Sequence, residues 1–123
     1  MPRRTVNFDT VRDIALTLPG VEKSPDGAAA LKVRGKLLAW VPTNRQAEPD
    51  SVAVRVDVDD RAELLTADPA VYYVTDHYVG YNSVLVRLSH INSDSLRDLL
   101  GMAHKFVTRK PASRKRSLIR MNK

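Results

Sequence analysis

Apolar residues recur along this chain with two different spacings, and the spacings predict where helices and strands lie. One helical stripe follows Asn7, which is a suitable N-cap, and ends at Pro19, because proline disfavours helical geometry in the residue before it. The members of this stripe are Phe8, Val11, Ala15 and Leu18. A second stripe lies within residues 92–110 and predicts a long amphipathic helix that Pro111 closes, with Ser95 and Asp98 at the spacing of a capping box. The members of this stripe are Leu96, Leu99, Leu100, Ala103 and Val107.

Short runs rich in apolar and β-branched residues, some of them alternating with polar residues, predict strands elsewhere. The predicted strands span residues 28–33, 37–41, 51–56, 70–74 and 83–91. A two-residue turn at Arg34-Gly35 joins the first two strands and sets Val33 opposite Lys36. This register places four side chains on one face: Leu31, Val33, Leu38 and Trp40. A longer loop or a bulge would change it.

The predicted elements follow one another as α-β-β-β-α-β-β-α. Residues 21–27 are predicted to be a polar linker, and a short helix follows the acidic residues Asp57, Asp59 and Asp60. Hairpin-like connections at Gly35 and around Gly80 favour a largely antiparallel sheet. We therefore expect an α+β domain in which helices pack on one face of a five-stranded sheet.

Length and composition are typical of one small domain, since the chain has 123 residues of which 43% are hydrophobic. We place that domain at residues 1–110 and expect a flexible basic tail at residues 111–123. The absence of cysteine excludes disulfides, thiolate metal sites and thiol nucleophiles. Apolar runs are too short to cross a membrane, and no secretory signal is evident, so we expect a cytoplasmic protein without a membrane partner.

The formal net charge of +6 is concentrated at the C-terminal end. From Lys105 onward the chain has eight cations and no acid, whereas residues 1–104 hold 12 cations and 14 acids, a balance of −2. The inference from basicity to a nucleic-acid partner therefore applies to the last residues and to local patches, and not to the whole domain.

Four stretches of the sequence carry a family resemblance. They are LTLPGVEKS, LKVRGKLLAWV, PAVYYVTDHYVGYNSVLVRL and LRDLLGMAHKFV, in this order within residues 8–110. Together they resemble the MmcQ/YjbR family of small bacterial proteins. The resemblance implies an α+β fold similar to secretion-chaperone-like or CyaY-like architectures. It also implies DNA binding, through an analogy with double-wing DNA-binding domains, and it implies no catalytic residue.

The basic hairpin is the first candidate site. Lys32, Arg34 and Lys36 could contact phosphates, which would provide affinity without reading sequence. Alternatively, they are solvated charges that protect a strand edge. Trp40 could stack on a base, although a lone tryptophan in a strand is more often part of the core.

Aromatic residues around Gly80 form the second candidate. Trp40, His77, Tyr78 and Tyr81 could line a pocket for a base or another small molecule, or could simply pack the sheet. The tail is the third candidate: Arg114, Lys115 and Arg116 could contact DNA, or could serve solubility alone, and Leu118 and Ile119 would also suit an amphipathic helix on an anionic surface.

Enzyme motifs are missing from the sequence. It contains no G-x-S-x-G elbow, glycine-rich phosphate loop or H-E-x-x-H pair, so we predict no catalysis, no metal and no cofactor. The favoured interpretation is a DNA-binding protein that contacts phosphates weakly through the hairpin and the tail. The alternative is a non-enzymatic module that binds a small molecule or a protein through the Trp40, His77 and Tyr81 region.

Overall fold

A computed structural model describes residues 6–24, 29–43, 47–78 and 80–109, and for residue 77 it describes the backbone alone. Within these ranges lie three α-helices and six strands. In chain order these are α1 (Phe8–Ala15), β1 (Val21–Lys23), β2 (Ala30–Val33), β3 (Lys36–Trp40), β4 (Ser51–Arg55), α2 (Val58–Ala67), β5 (Tyr72–Tyr73), β6 (Ser83–Arg87) and α3 (Ser93–Thr108). Two short 3₁₀ helices, Asp76–Tyr78 and Leu88–His90, flank β6.

The strands form one sheet in the order β1-β2-β3-β4-β6-β5, and each neighbouring pair is antiparallel. The predicted α+β class with an antiparallel sheet is therefore confirmed. The predicted number of five strands is wrong, because β1 adds a strand inside the expected polar linker. Val21 pairs with Val33 and is buried, so three residues suffice to extend the sheet. By contrast, β5 has only two residues and is shorter than the predicted strand at residues 70–74.

All three helices pack against the same face of the sheet. The buried stripe of α3 matches the prediction and consists of Leu96, Leu99, Leu100, Ala103 and Val107. It meets Val52 and Val54 of β4, which are fully buried. Burying a leucine or valine completely contributes about 1.5–3 kcal/mol relative to leaving it exposed. This apolar layer therefore supplies much of the stability of the domain.

The N-terminus of α1 confirms the predicted cap. The side chain of Asn7 accepts a hydrogen bond from the backbone N–H of Thr10 at 3.1 Å. In return, the backbone N–H of Asn7 donates to Oγ1 of Thr10 at 3.2 Å, which completes a capping box. The predicted capping box of Ser95 and Asp98 is wrong, because α3 begins three residues earlier than such a cap requires. Its N-cap is Asn92, whose side chain accepts a hydrogen bond from the backbone N–H of Ser95 at 2.8 Å.

α3, with 16 residues, is the longest helix that the structure describes, and none of the described helices is long and apolar enough to cross a membrane.

A β-bulge between β2 and β3 decides where Trp40 points. Val33 faces Lys36 as predicted, and Lys32 faces Leu37, but Leu31 pairs with Ala39 because the register shifts by one residue. Trp40 consequently lies opposite Ala53 and packs on the face that the helices leave uncovered. The prediction that Trp40 shares a face with Leu31 and Val33 is wrong. That prediction assumed that the two strands pair residue by residue from the turn onward, without a bulge.

Candidate functional site

The hairpin turn between β2 and β3 has the predicted two-residue form. Arg34 and Gly35 have φ angles of 54° and 79°, so both occupy the left-handed region, as a type I′ turn requires. Glycine adopts this conformation readily, whereas arginine adopts it at a cost. The turn exposes Arg34 at the tip of the hairpin.

The three hairpin cations do not lie together on one face. Lys32 is half-buried and stands opposite Leu37 on one side and Glu22 of β1 on the other. A carboxylate directly across the strand pair offsets part of its charge. Lys36 lies at the other side of the sheet, where it lines a cavity together with residues of α3. Of the predicted site, therefore, Arg34 and Lys36 remain at the exposed end of the hairpin, and Lys32 is separated from them.

The cavity beside Lys36 has a volume of about 330 Å³, and we call it the basic cavity. It is lined by Lys36, Arg55, Asp57, Asn82, Phe106, Val107 and Arg109. Arg109 is held in place by two contacts, an ion pair with Asp57 at 3.7 Å and a position 4.8 Å above the ring of Phe106. Arg55 has no ion-pair partner within 4.0 Å among the residues that the structure describes. Three cations and one acid thus give this cavity an excess of positive charge.

A larger cavity of about 570 Å³ lies on the uncovered face of the sheet, and we call it the aromatic cavity. It is lined by Leu37, Trp40, Val41, Thr43, Arg55, Tyr78, Gly80, Tyr81, Asn82 and Ser83. The structure therefore brings together Trp40, Tyr78 and Tyr81 of the predicted pocket. The side chain of His77 lies outside the described part of the chain.

The three aromatic rings form a row. The ring of Tyr78 lies 6.4 Å from that of Trp40, with planes inclined by 48°, and 6.4 Å from that of Tyr81, edge to face at 69°. Tyr78 is buried against Ala53 and Leu85 and forms the floor of the row. Tyr81 is 59% exposed, so its ring stands at the mouth of the cavity. An exposed tyrosine ring at the end of such a row is a surface on which a flat ligand can stack.

The loop that carries Tyr78 and Tyr81 is fixed by an arginine of α2. Nη1 of Arg61 donates hydrogen bonds to the backbone carbonyls of Tyr78, Tyr81 and Ser83, at 3.2, 2.8 and 3.1 Å. The backbone N–H of Val56 also donates to the carbonyl of Asn82 at 3.0 Å. These bonds hold the loop against the ends of β4 and β6, so the cavity wall is preformed.

Ser83 provides a polar group in the wall of the aromatic cavity. It is 1% exposed, and its Oγ has no hydrogen-bond partner within the described chain. An unpaired buried hydroxyl is costly, because it has lost its bonds to water without replacing them. Of the described buried side chains, only Ser83 and Thr75 have such an unpaired atom.

The opposite end of the uncovered face is closed by a polar network. Nε and Nη2 of Arg87 donate to the two carboxylate oxygens of Glu48, both at 2.8 Å, and the guanidinium lies 4.3 Å above the ring of Tyr73. The hydroxyl of Tyr73 is hydrogen-bonded to Oγ of Ser51 at 2.6 Å. The hydrogen bonds from Arg87 lower the pKa of Glu48, and the same contact raises the pKa of Arg87. This end is satisfied internally and serves the fold.

A third cavity, of about 660 Å³, lies between α2 and α3. Its rim carries three acids and three cations: Asp57, Asp60, Asp98, Arg97, Lys105 and Arg109. Because these charges balance, the cavity favours neither an anion nor a cation. The described residues also contain no cluster of three histidine, aspartate or glutamate side chains that could hold a metal ion.

Sequence reasoning missed Arg55, Asn82, Ser83 and the supporting Arg61. A signal for Arg55 was present in the strand SVAVRV, because alternation puts it on the face opposite Val52, Val54 and Val56. No local signal joins Arg55 to Lys36 or to Arg109, which are distant in sequence. The predicted tail residues Arg114, Lys115 and Arg116 lie outside the described residues, as does the predicted domain boundary after residue 110.

Comparison with known proteins identifies relatives. Residues 16–106 match the family model described as YjbR. The uncharacterized proteins Rv2570 of Mycobacterium tuberculosis (strain ATCC 25618 / H37Rv) and Mb2600 of Mycobacterium bovis are each 37% identical over 83 residues. These alignments cover 56% of this chain and 64% of each relative, so the chain spans less than two thirds of the length of these proteins.

The fold has a counterpart among solved structures. The crystal structure of Deinococcus radiodurans protein DR2400, which has the domain DUF419, superposes with a TM-score of 0.65 and 22% sequence identity. The superposition covers 94% of this chain and 91% of that chain. At this level of identity the similarity concerns the fold alone.

Proposed function

This chain belongs to the YjbR family, and we propose that it is a DNA-binding protein that contacts backbone phosphates through its basic end. We define the basic end as the hairpin cations Arg34 and Lys36, together with Arg55 and Arg109 of the basic cavity. The observation that carries the proposal is the meeting of Lys36, Arg55 and Arg109 at one cavity. The acid-free segment with Arg114, Lys115 and Arg116 follows Arg109 directly in the chain, so its cations are tethered to this place.

Charge distribution supports binding that is weak and not sequence-specific. Residues 1–104 carry a balance of −2, so the attraction to a polyanion must come from the basic end and the segment that follows it. Contacts to phosphates position a protein on DNA but do not read bases. This role places the protein in the cytoplasm, and the absence of cysteine fits a reducing compartment.

The test is a titration of the full chain with a short DNA duplex at increasing salt concentration. One variant, Lys36→Gln with Arg55→Gln, removes two cations of the basic end. A second variant replaces Arg114, Lys115 and Arg116 by glutamine. The matched control, Arg12→Gln with Arg97→Gln, removes two charges from α1 and α3 that pair with neighbouring acids.

Each phosphate that the protein no longer neutralises should reduce the slope of log K against log salt by about 0.9. We therefore expect a slope smaller by about 2 for the first variant and by about 3 for the second, with little change for the control. No binding by the unmodified chain at low salt would refute the proposal. Equal weakening by the control pair would mean that net charge alone is responsible, and that the basic end has no particular role.

A second candidate function rests on the aromatic cavity. Its volume of about 570 Å³ lies within the range of small-molecule sites, roughly 300–1,000 Å³. A non-enzymatic module that binds a small molecule or a protein there would need neither Lys36 nor the tail, although Arg55 lines this cavity as well. Unchanged ligand binding in the variant that replaces Arg114, Lys115 and Arg116, with no binding of DNA, would favour this candidate.

A further inference from the structure

The basic cavity and the aromatic cavity are adjacent and share two residues. Arg55 and Asn82 line both of them. Arg55 extends from β4 on the same face as Ala53 and Trp40, and it pairs with Ser83 of β6 across the strands. A phosphate bound at Arg55 would therefore lie at the border between a cationic site and a row of aromatic rings.

We propose that the aromatic cavity takes an unpaired nucleobase whose phosphate is bound at Arg55. The ligand is a nucleotide, either free or within a single strand. This inference rests on the proposed function, since it uses the same Arg55 for the phosphate. It goes beyond that function, because a base held in a duplex is stacked on its neighbours and cannot enter a cavity.

The geometry of the rings suits stacking on a base. Tyr78 is fixed in the middle of the row, with Trp40 and Tyr81 on its two sides, and Tyr81 is the exposed member. Every nucleobase has an aromatic face, so such a surface binds bases with little regard to sequence. Arg61 holds the backbone of the loop at Tyr81, so the backbone there needs little ordering when a ligand binds.

The cavity wall also offers hydrogen bonds to the edge of a base. Asn82 and Thr43, whose side chains end in an amide and a hydroxyl, line this space. Ser83 lines it too, and its unpaired Oγ is buried within the wall. A ligand that reaches Ser83 would satisfy a buried group that has no partner within the described chain. This is an observation independent of the aromatic row, and it points to a polar edge on the ligand.

The experiment uses the full chain and three unlabelled probes: a short oligothymidylate, a duplex with the same number of phosphates, and thymidine monophosphate. The readout is the intrinsic fluorescence of Trp40, the only tryptophan of the chain, together with a direct affinity measurement. The test variant is Tyr81→Ala, and its control is Tyr81→Phe, which keeps the ring. Tyr81 is exposed, so neither change should unfold the domain.

We expect the single strand to quench Trp40 and to bind more tightly than the duplex. Tyr81→Ala should weaken binding of the single strand by about 5- to 100-fold, as for loss of one stacked base, while Tyr81→Phe stays close to the unmodified chain. Duplex binding should be the same in all three proteins. Quenching by thymidine monophosphate to the same extent would identify a free nucleotide as the source of the base.

An oligothymidylate that binds without quenching Trp40, or that binds equally to Tyr81→Ala and the unmodified chain, would overturn the inference. That result leaves the proposed function standing if the duplex still binds through Lys36 and Arg55. In the converse result, the duplex does not bind, the mononucleotide quenches Trp40, and Tyr81→Ala abolishes this quenching. That result would refute the proposed function and support the cavity as a nucleotide site. The two failures are therefore distinguishable.

Discussion

The indole ring of Trp40 and the phenol ring of Tyr78 lie with centroids 6.4 Å apart and planes inclined by 48°, on the sheet face opposite the helices. One ring belongs to β3 and the other to a 3₁₀ helix, so this contact attaches an irregular segment to the sheet. With this contact, the face that the helices leave uncovered carries a small second hydrophobic core, one side of which is open to solvent. The open side is the aromatic cavity.

The first prediction concerns this second core. Tyr78 is 6% exposed and packs with Ala53 and Leu85. Tyr78→Ala should lower the free energy of unfolding by about 3–5 kcal/mol, as for removal of other buried aromatic rings. Tyr78→Phe keeps the ring and should cost much less. Urea unfolding followed by far-UV circular dichroism measures both, and equal losses would mean that the packing of the ring is unimportant.

The second prediction concerns the support of the loop. Arg61→Met keeps the aliphatic part of the side chain but removes the donor shared by three backbone carbonyls. Loss of these charge-assisted bonds should lower the free energy of unfolding by about 1–3 kcal/mol. It should also increase amide hydrogen exchange in the loop around residues 78–83.

The control for Arg61 is Arg97→Met, which removes an exposed arginine whose ion pair within the described part of the chain is with Asp94, one turn away on α3. That change should cost less than about 0.5 kcal/mol, the usual value of such a pair. If the two variants behave alike, the bonds from Arg61 do not hold the loop.

The third prediction concerns the hairpin turn. Gly35 has a φ of 79°, and no atom lies within 4 Å of the position that a Cβ would take. A side chain there would therefore cost free energy through backbone strain and not through crowding with its neighbours. Gly35→Ala should therefore destabilise the protein by about 1–2 kcal/mol. Gly80→Ala also enters open space, but at a φ outside the left-handed region, and it should be nearly neutral. A difference of zero between the two variants would contradict a type I′ turn.

The fourth prediction concerns pH. Hydrogen bonds from Arg87 lower the pKa of Glu48 below its ordinary 4.5, so the carboxylate is favoured in the folded state. This contribution to stability is fully present above the ordinary pKa and is lost as the pH falls through the lower, folded value. Glu48→Gln should therefore lower the melting temperature at neutral pH. The difference from the unmodified chain should shrink as the solution becomes more acidic than pH 4.5.

The control for Glu48 is Glu63→Gln, which removes the same charge from the exposed side of α2. Thermal unfolding of the three proteins across the acidic range gives the comparison. A difference between Glu48→Gln and the unmodified chain that stays constant at every pH would show that ionisation of Glu48 is not involved.

Elements whose signals are local could be predicted from the amino-acid sequence. The cap at Asn7, the buried stripe of α3 and the turn at Arg34-Gly35 depend on residues within a few positions of one another, and the structure confirms all three. Alternation in SVAVRV likewise predicted the buried face of β4. These features are readable because propensity, capping and amphipathic spacing act over one or two turns of the backbone.

The remaining features of the fold and the candidate site depend on contacts between distant segments. The bulge that turns Trp40 away from Leu31, and the pairing that makes a strand of β1, arise from packing between strands, which no single segment encodes. The same is true of the meeting of Lys36, Arg55 and Arg109, which come from two strands and the end of a helix. A site assembled from distant segments depends on strand order and register, and a one-residue shift moves a side chain to the other face. The sequence therefore determined which side chains were available, and the register of the sheet decided which of them meet.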